Sequence, residues 1–209
     1  MENQDNEFVD KPNYSSEKEL KDLPGISIDA LPMAENYQLF TDRVGRGLVI
    51  RKTEREILIM ESRGLGLMTS NKWVTEMKNI WHLRATVDEN AVMRLELRTR
   101  KNTLFGKKRS PIMNAKKFVG ESIEYFDSQG IPPNVFEARW DHDEDNLKQY
   151  QENLTQLDWD PVRAARETWT GRNIAPYGFT EVSPEDISTE GPQDALRMKV
   201  RFHREAKSP

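Results

Sequence analysis

Cysteine is absent from this chain of 209 residues. That removes disulfide frameworks, thiolate zinc sites and cysteine nucleophiles, and it fits a reducing compartment. Long apolar runs are absent too: no stretch approaches the ~18 residues that a membrane span needs. The N-terminus, MENQDNEFVDKPNYSSEKE, has neither a basic leader nor an apolar core, so it does not read as a cleaved secretory signal. The expected location is the cytoplasm, or the outside of the cell through a specialised secretion system that needs no cleaved signal. Histidine is scarce. His82, His142 and His203 are scattered, with no zinc-protease spacing and no serine or cysteine motif beside them. Gly64-Leu65-Gly66 is too short for a dinucleotide loop, and no βαβ unit adjoins it. Glu96-Leu97-Arg98 comes nearest to a nuclease pattern but carries arginine where lysine is usual. No cofactor and no metal site are expected.

What the chain does have is charge. Charged residues make up 32% and hydrophobic residues 36% of it. An ordinary domain is roughly 45–50% apolar when glycine is counted, so part of this chain is expected to lie outside a core. Residues 1–38 read as that part. They hold nine acidic and three basic residues, broken by Pro12, Pro24 and Pro32. Such composition does not bury enough surface to offset its ordering entropy, which predicts a flexible, disordered acidic tail. Within it, Leu23 to Met33 is more apolar and is a docking candidate, on the domain or on a partner.

Residues 39–209 are expected to form one α+β domain, a mixed or antiparallel sheet packed by three to four helices. Leu48–Arg51 and Ile57–Met60 read as strands around a polar turn. Trp73, Met77, Ile80 and Trp81 share one face of a short helix. Leu83, Ala85 and Val87 alternate, Asp88-Glu89-Asn90 turns, and Val92 (or Met93), Leu95 and Leu97 return. A helix follows from Pro111 through Ile123 and Phe126 to a stop at Gly130. Phe136, Ala138 and Trp140 alternate on a strand. Asp143 or Asp145 caps a helix through Leu147, Tyr150 and Leu154, and Asp160 caps one that carries Val162, Ala165 and Trp169 on one face. Phe179–Val182 and Leu196–Phe202 close the sheet across a loop, SPEDISTEGPQD.

Three regions invite chemistry. Between Arg94 and Lys117 stand nine basic residues and one acid. At its centre Arg98, Arg100, Lys101, Lys107, Lys108 and Arg109 surround Phe105 in a loop. A basic loop with an aromatic grips phosphates and stacks a base, although a hairpin end in solvent has the same composition. Between Gly120 and Asp160 stand eleven acids and two bases. Asp141-His142-Asp143-Glu144-Asp145 offers hard oxygen ligands, but without calcium-loop spacing; helix capping accounts for it better. As a face, the acidic stretch suits a protein partner, or it neutralises the basic stretch across the fold or between subunits. Finally, Thr168-Trp169-Thr170-Gly171 reads chiefly as a packed corner that turns through Pro176 and Gly178 into Phe179. Its functional version puts Thr168, Thr170 and Arg172 in a cleft.

The pattern FEARW, DNLKQYQENL, DPVRAARETWTGRNIAPYGFTEV and MKVRF, within residues 134–204, resembles a domain at the C-terminal ends of bacterial polymorphic toxins of the Rhs and filamentous-hemagglutinin type. The resemblance covers about a third of the chain. It implies an effector module acting inside a competing cell, and it carries over no catalytic residue. Pro176 departs from the pattern, and no long delivery region precedes residue 38, which leaves a standalone relative, a cargo or a decoy. The functional expectation is therefore a toxin-like effector acting on an intracellular target. The alternative is a non-catalytic binding protein: an immunity or adaptor partner using the acidic face, or a nucleic-acid binder using the basic loop at 98–109.

Overall fold

The computed structural model describes residues 18–19, 27–29, 31–41, 47–61, 82–98, 100–103, 106–109, 114–141, 145–190 and 197–205. The strands among them are β1 (Lys18–Glu19), β2 (Ala34–Thr41), β3 (Gly47–Lys52), β4 (Glu56–Glu61), β5 (His82–Val87), β6 (Val92–Arg98), β7 (Arg100–Thr103), β8 (Gly106–Arg109), β9 (Val135–Asp141), β10 (Phe179–Glu181), β11 (Ile187–Glu190) and β12 (Arg197–Arg204). The helices are α1 (Ala115–Ser128), α2 (Asp145–Gln156), α3 (Pro161–Arg166) and α4 (Trp169–Ile174). Ten strands form one sheet in the order β1-β2-β3-β4-β5-β6-β9-β12-β10, with β11 also on β12; β7 and β8 pair separately. Pairing is antiparallel except at β1–β2 and β6–β9. The fold is thus α+β with a mixed sheet, as the sequence predicts.

The β5–β6 hairpin follows the alternation closely. Val87 pairs with Met93, Ala85 with Leu95 and Leu83 with Leu97. Met93, not Val92, carries the inward register. Asp88 Oδ1 accepts from Asn90 N and Val92 N, which closes the turn, and Ala91 takes a φ of 56°. Between β6 and β9 the chain passes through β7, β8 and α1, which makes room for the parallel β6–β9 pairing. Phe118, Val119, Ile123 and Phe126 of α1 are buried with Leu83, Ala85, Phe136, Trp140, Val200 and Phe202 in one core. Gly130, at φ 74°, ends α1 where Ile131 N reaches back to Phe126 O.

Several expectations are corrected. Helix α1 starts at Ala115, behind Asn114, whose side chain accepts from Lys116 N; an Asx cap outranks the preset φ of proline, and Pro111 lies outside the described residues. The expected loop 183–194 contains a 3-10 turn at Pro184–Asp186 and the strand β11, which pairs along Val200 to Arg197 of β12. The expected single helix from Pro161 through Trp169 is two helices, broken at Thr168. Ahead of the boundary expected at residue 38, β2 begins at Ala34, and Ile28 and Leu31 of the Leu23–Met33 docking candidate are core residues of the domain. The Lys52 ammonium holds that segment by donating to Ile28 O and Leu31 O at 2.8 and 3.1 Å, and Glu121 accepts from Ile28 N at 2.8 Å. The predicted helix of Trp73 to Trp81, and residues 1–17 of the predicted tail, lie outside the described residues.

Candidate polyanion interface

The basic stretch folds as a hairpin of its own. β7 and β8 run antiparallel, and the register sets Arg100 against Arg109, Lys101 against Lys108 and Asn102 against Lys107. Lys107, Lys108 and Arg109 therefore belong to a strand and not to a loop tip. Phe105, between β7 and β8 in the sequence, is outside the described residues. A two-stranded ribbon is marginal by itself, and like charges placed opposite one another weaken it further. A bound polyanion reverses that sign.

Arg98 ends β6, and Arg100 opens β7. The hairpin thus follows in sequence on a strand whose outward Arg94 and Glu96 are charged. On the sheet face turned away from α1 to α4, Arg94 lies beside Glu137, Arg201 opposite Glu137 and Lys199 opposite Arg139. The Glu137 side chain is 1% exposed and is enclosed by three guanidinium groups. Arg94 Nε and Arg139 Nη2 each lie 3.0 Å from its Oε1, and Arg201 Nε lies 3.1 Å from its Oε2. Burial opposes the charge on Glu137, but the hydrogen bonds from Arg94, Arg201 and Arg139 outweigh it and hold the carboxyl below its ordinary value.

Of the eleven acids of the 120–160 stretch, Glu121, Asp127, Glu137, Asp141 and Asp160 are engaged at scattered points, while Glu124, Glu152 and Asp158 are exposed. Glu121 holds Ile28 N, and Glu137 faces the other side of the sheet. Asp127 forms a bidentate pair with Arg204 at 2.7 Å on both oxygens. Asp160 caps α3 through Val162 N and Arg163 N, and Asp141 pairs with Arg197 at 3.0 Å. Residues 142–144, including His142, lie outside the described residues.

The Thr-Trp-Thr-Gly corner is likewise spent on structure. Thr168 is fully buried; its hydroxyl donates to Ala165 O at 2.7 Å and accepts from Gly171 N at 3.2 Å, which caps α4. Asn146 and Gln149 of α2 accept from Thr170 N and Trp169 N, so α2 caps the same helix end. A Cβ on Gly171 would overlap the Arg166 carbonyl oxygen, which is why glycine stands at this crossing. Thr170 is buried and Arg172 is exposed.

Two further places were not singled out from the sequence. His203 Nε2 lies 2.8 Å from Asp186 Oδ1 at the edge of a shallow open depression of about 550 Å³. Ser183 Oγ donates to the other oxygen of Asp186, not to the imidazole. The order is serine–aspartate–histidine, so the imidazole does not activate the hydroxyl. Burial works against the Asp186 charge, yet the bonds from Ser183 and His203 prevail and lower its pKa. The second place is Trp159, 71% exposed, which follows Asp158 in a pair of left-handed residues at φ 52° and 61°. Among the described residues no group of three or more His, Asp or Glu side chains is placed to hold a metal ion, and no helix is long and apolar enough to cross a membrane.

Comparison with protein-family models, with curated proteins and with solved structures finds no match to this chain.

Proposed function

We propose that this chain is a non-catalytic binding protein that takes a nucleic-acid strand on the β7–β8 hairpin. The observation that carries the reading is the register: five cations and no acid in β7 and β8, with Arg100 against Arg109 and Lys101 against Lys108. Nothing within the ribbon compensates that density, and phosphates do so with release of counterions. The engaged state of Glu121, Asp127, Glu137 and Asp160 weighs against an acidic docking face. The internal bonds of Thr168 weigh against a reacting group at the 168–172 corner, where an effector activity would otherwise be sought.

The test is fluorescence anisotropy of a labelled single-stranded oligonucleotide with the full chain over a salt series. Binding should fall linearly in log–log form as salt rises, and Lys107→Ala/Lys108→Ala/Arg109→Ala should abolish it. Salt-independent binding, or binding unchanged in the triple variant, defeats the reading. A separate arm addresses the effector alternative implied by the C-terminal pattern. Growth arrest on induced expression, relieved by Arg172→Ala in a folded chain and not by the triple variant, would favour an effector.

A further inference from the structure

We infer that the arginine cluster around Glu137 is a second phosphate-binding point for the same strand, so that the ligand runs from the hairpin onto the exposed β9–β12 part of that sheet face. This rests on the reading of the hairpin given above. Arg94, Arg139, Lys199 and Arg201 occupy neighbouring positions on β6, β9 and β12 around one carboxylate. Glu137 is enclosed, so it anchors the guanidinium groups from beneath without presenting its own charge to solvent. Arg139 and Arg201, at 66% and 45% side-chain exposure, are open above it.

Arg139 engages Glu137 through Nε and Nη2, and Arg201 through Nε. A guanidinium has five N–H donors in a planar fork, so each keeps donors for an oxyanion. Anchoring at one edge removes much of the side-chain entropy that such a contact would otherwise cost. The other acids of this face have cations of their own. Glu56 holds Arg84 and Arg51, Glu96 lies 3.6 Å from Arg84, Asp88 holds Arg94, and Asp141 holds Arg197. Arg94, Arg139 and Arg201 share the single carboxylate of Glu137, and Lys199 beside them lies 3.5 Å from Glu190, so cations outnumber acids at this point of the face.

The spacing suits one strand. From Arg94 to Arg98 is four residues of β6, about 13 Å at ~3.3 Å each, and β7 begins two residues later. A single-stranded backbone covers that distance within a few nucleotides.

The experiment repeats the salt series with Arg139→Gln/Arg201→Gln in the full chain, alongside the hairpin triple variant. Melting by circular dichroism confirms that each variant is folded. The double variant should bind about tenfold more weakly at low salt, and its log–log slope should be shallower by about 1.4, two phosphates at ~0.7 each. Lys199→Gln, which leaves Glu137 enclosed, should reduce the slope by about half as much. It decides the matter if the double variant fails to fold. Wild-type affinity and slope in these variants, with binding lost in the hairpin variant, would overturn the second site and leave the hairpin intact. No binding by the wild type would remove both. Inorganic phosphate is the remaining probe. Phosphate binding by calorimetry in the full chain, at ionic strength matched with chloride, that is lost in Arg139→Gln/Arg201→Gln while that variant keeps wild-type strand affinity, would show a free-phosphate site and overturn the strand path.

Discussion

Removing the chain before Ala34 should take away a large share of the stability of the fold. Ile28 is completely enclosed and Leu31 is 3% exposed, both within the main core. Burial of one such side chain contributes roughly 1.5–3 kcal/mol, so the pair contributes about 3–6 kcal/mol. Lys52 adds to this. Its ammonium donates to the carbonyls of Ile28 and Leu31 and sits 4.6 Å from the centre of the Tyr125 ring. Burial lowers its pKa, and Asp29 only partly opposes that. Loss of both carbonyls would leave a buried cation short of acceptors, at a cost of at least ~1–3 kcal/mol. The total, above about 4 kcal/mol, is comparable with the whole stability of a marginal domain, about 5–15 kcal/mol. Ile28→Ala isolates the burial. It should cost about 2–5 kcal/mol and lower Tm by about 4–20 °C in a chain of this size. Urea denaturation of the full chain, of Ile28→Ala and of a chain beginning at Ala34, followed by tryptophan fluorescence, measures all three. A shortened chain with the midpoint and slope of the full one would refute the reasoning, since it would mean that the segment adds nothing to the core.

Three other outcomes follow from the same contacts. Asp88, Glu137 and Asp186 all have carboxyl pKa values lowered by folding, from ordinary values of 3.8, 4.5 and 3.8. Their stabilisation is present above those values and is lost as the pH falls through the folded ones, so the urea midpoint should hold down to about pH 5 and fall below about pH 4; Glu137→Gln should flatten that decline, and a midpoint constant to about pH 3 would contradict it. Gly171→Ala forces a Cβ onto the Arg166 carbonyl and should cost about 1–3 kcal/mol by denaturation, whereas Thr168→Ala, which removes the cap of α4, should cost about 1 kcal/mol; equal stability in both variants would show that the corner is not tightly packed. Trp159→Gly should leave stability unchanged or raise it by up to about 1 kcal/mol, because it relieves a left-handed φ at an exposed site; a loss above about 1 kcal/mol would mean that the indole is held by contacts.

The sequence carried the inward half of the sheet well and the outward half poorly, for a physical reason. Period-two alternation placed Leu83, Ala85 and Val87 against Leu95 and Leu97, and Phe136, Ala138 and Trp140 on the core side, as the structure has them. The same alternation puts Glu137 and Arg139 on the other face. What it does not contain is their partners. Arg94 is 43 residues before Glu137 and Arg201 is 64 after it, and only the β6–β9–β12 order joins them. A charge cluster assembled from three strands leaves no local signature, whereas the basic hairpin, contiguous in sequence, was visible as composition. Its register was not: the opposition of Arg100 to Arg109 depends on where the turn falls. Ile28 and Leu31 fall in the apolar stretch Leu23–Met33 that reads as a docking candidate, but their depth in the core has no local signature, because what fixes them is Lys52 and Glu121, distant groups that bond their backbone. One misread element has a related cause. At Thr168 the stripe of Val162, Ala165 and Trp169 suggested one helix, but Thr168 caps a second helix through Gly171 N. The cap prevailed because α2 supplies Asn146 and Gln149 to the exposed N–H groups of α4, a contribution that periodicity within one segment does not register.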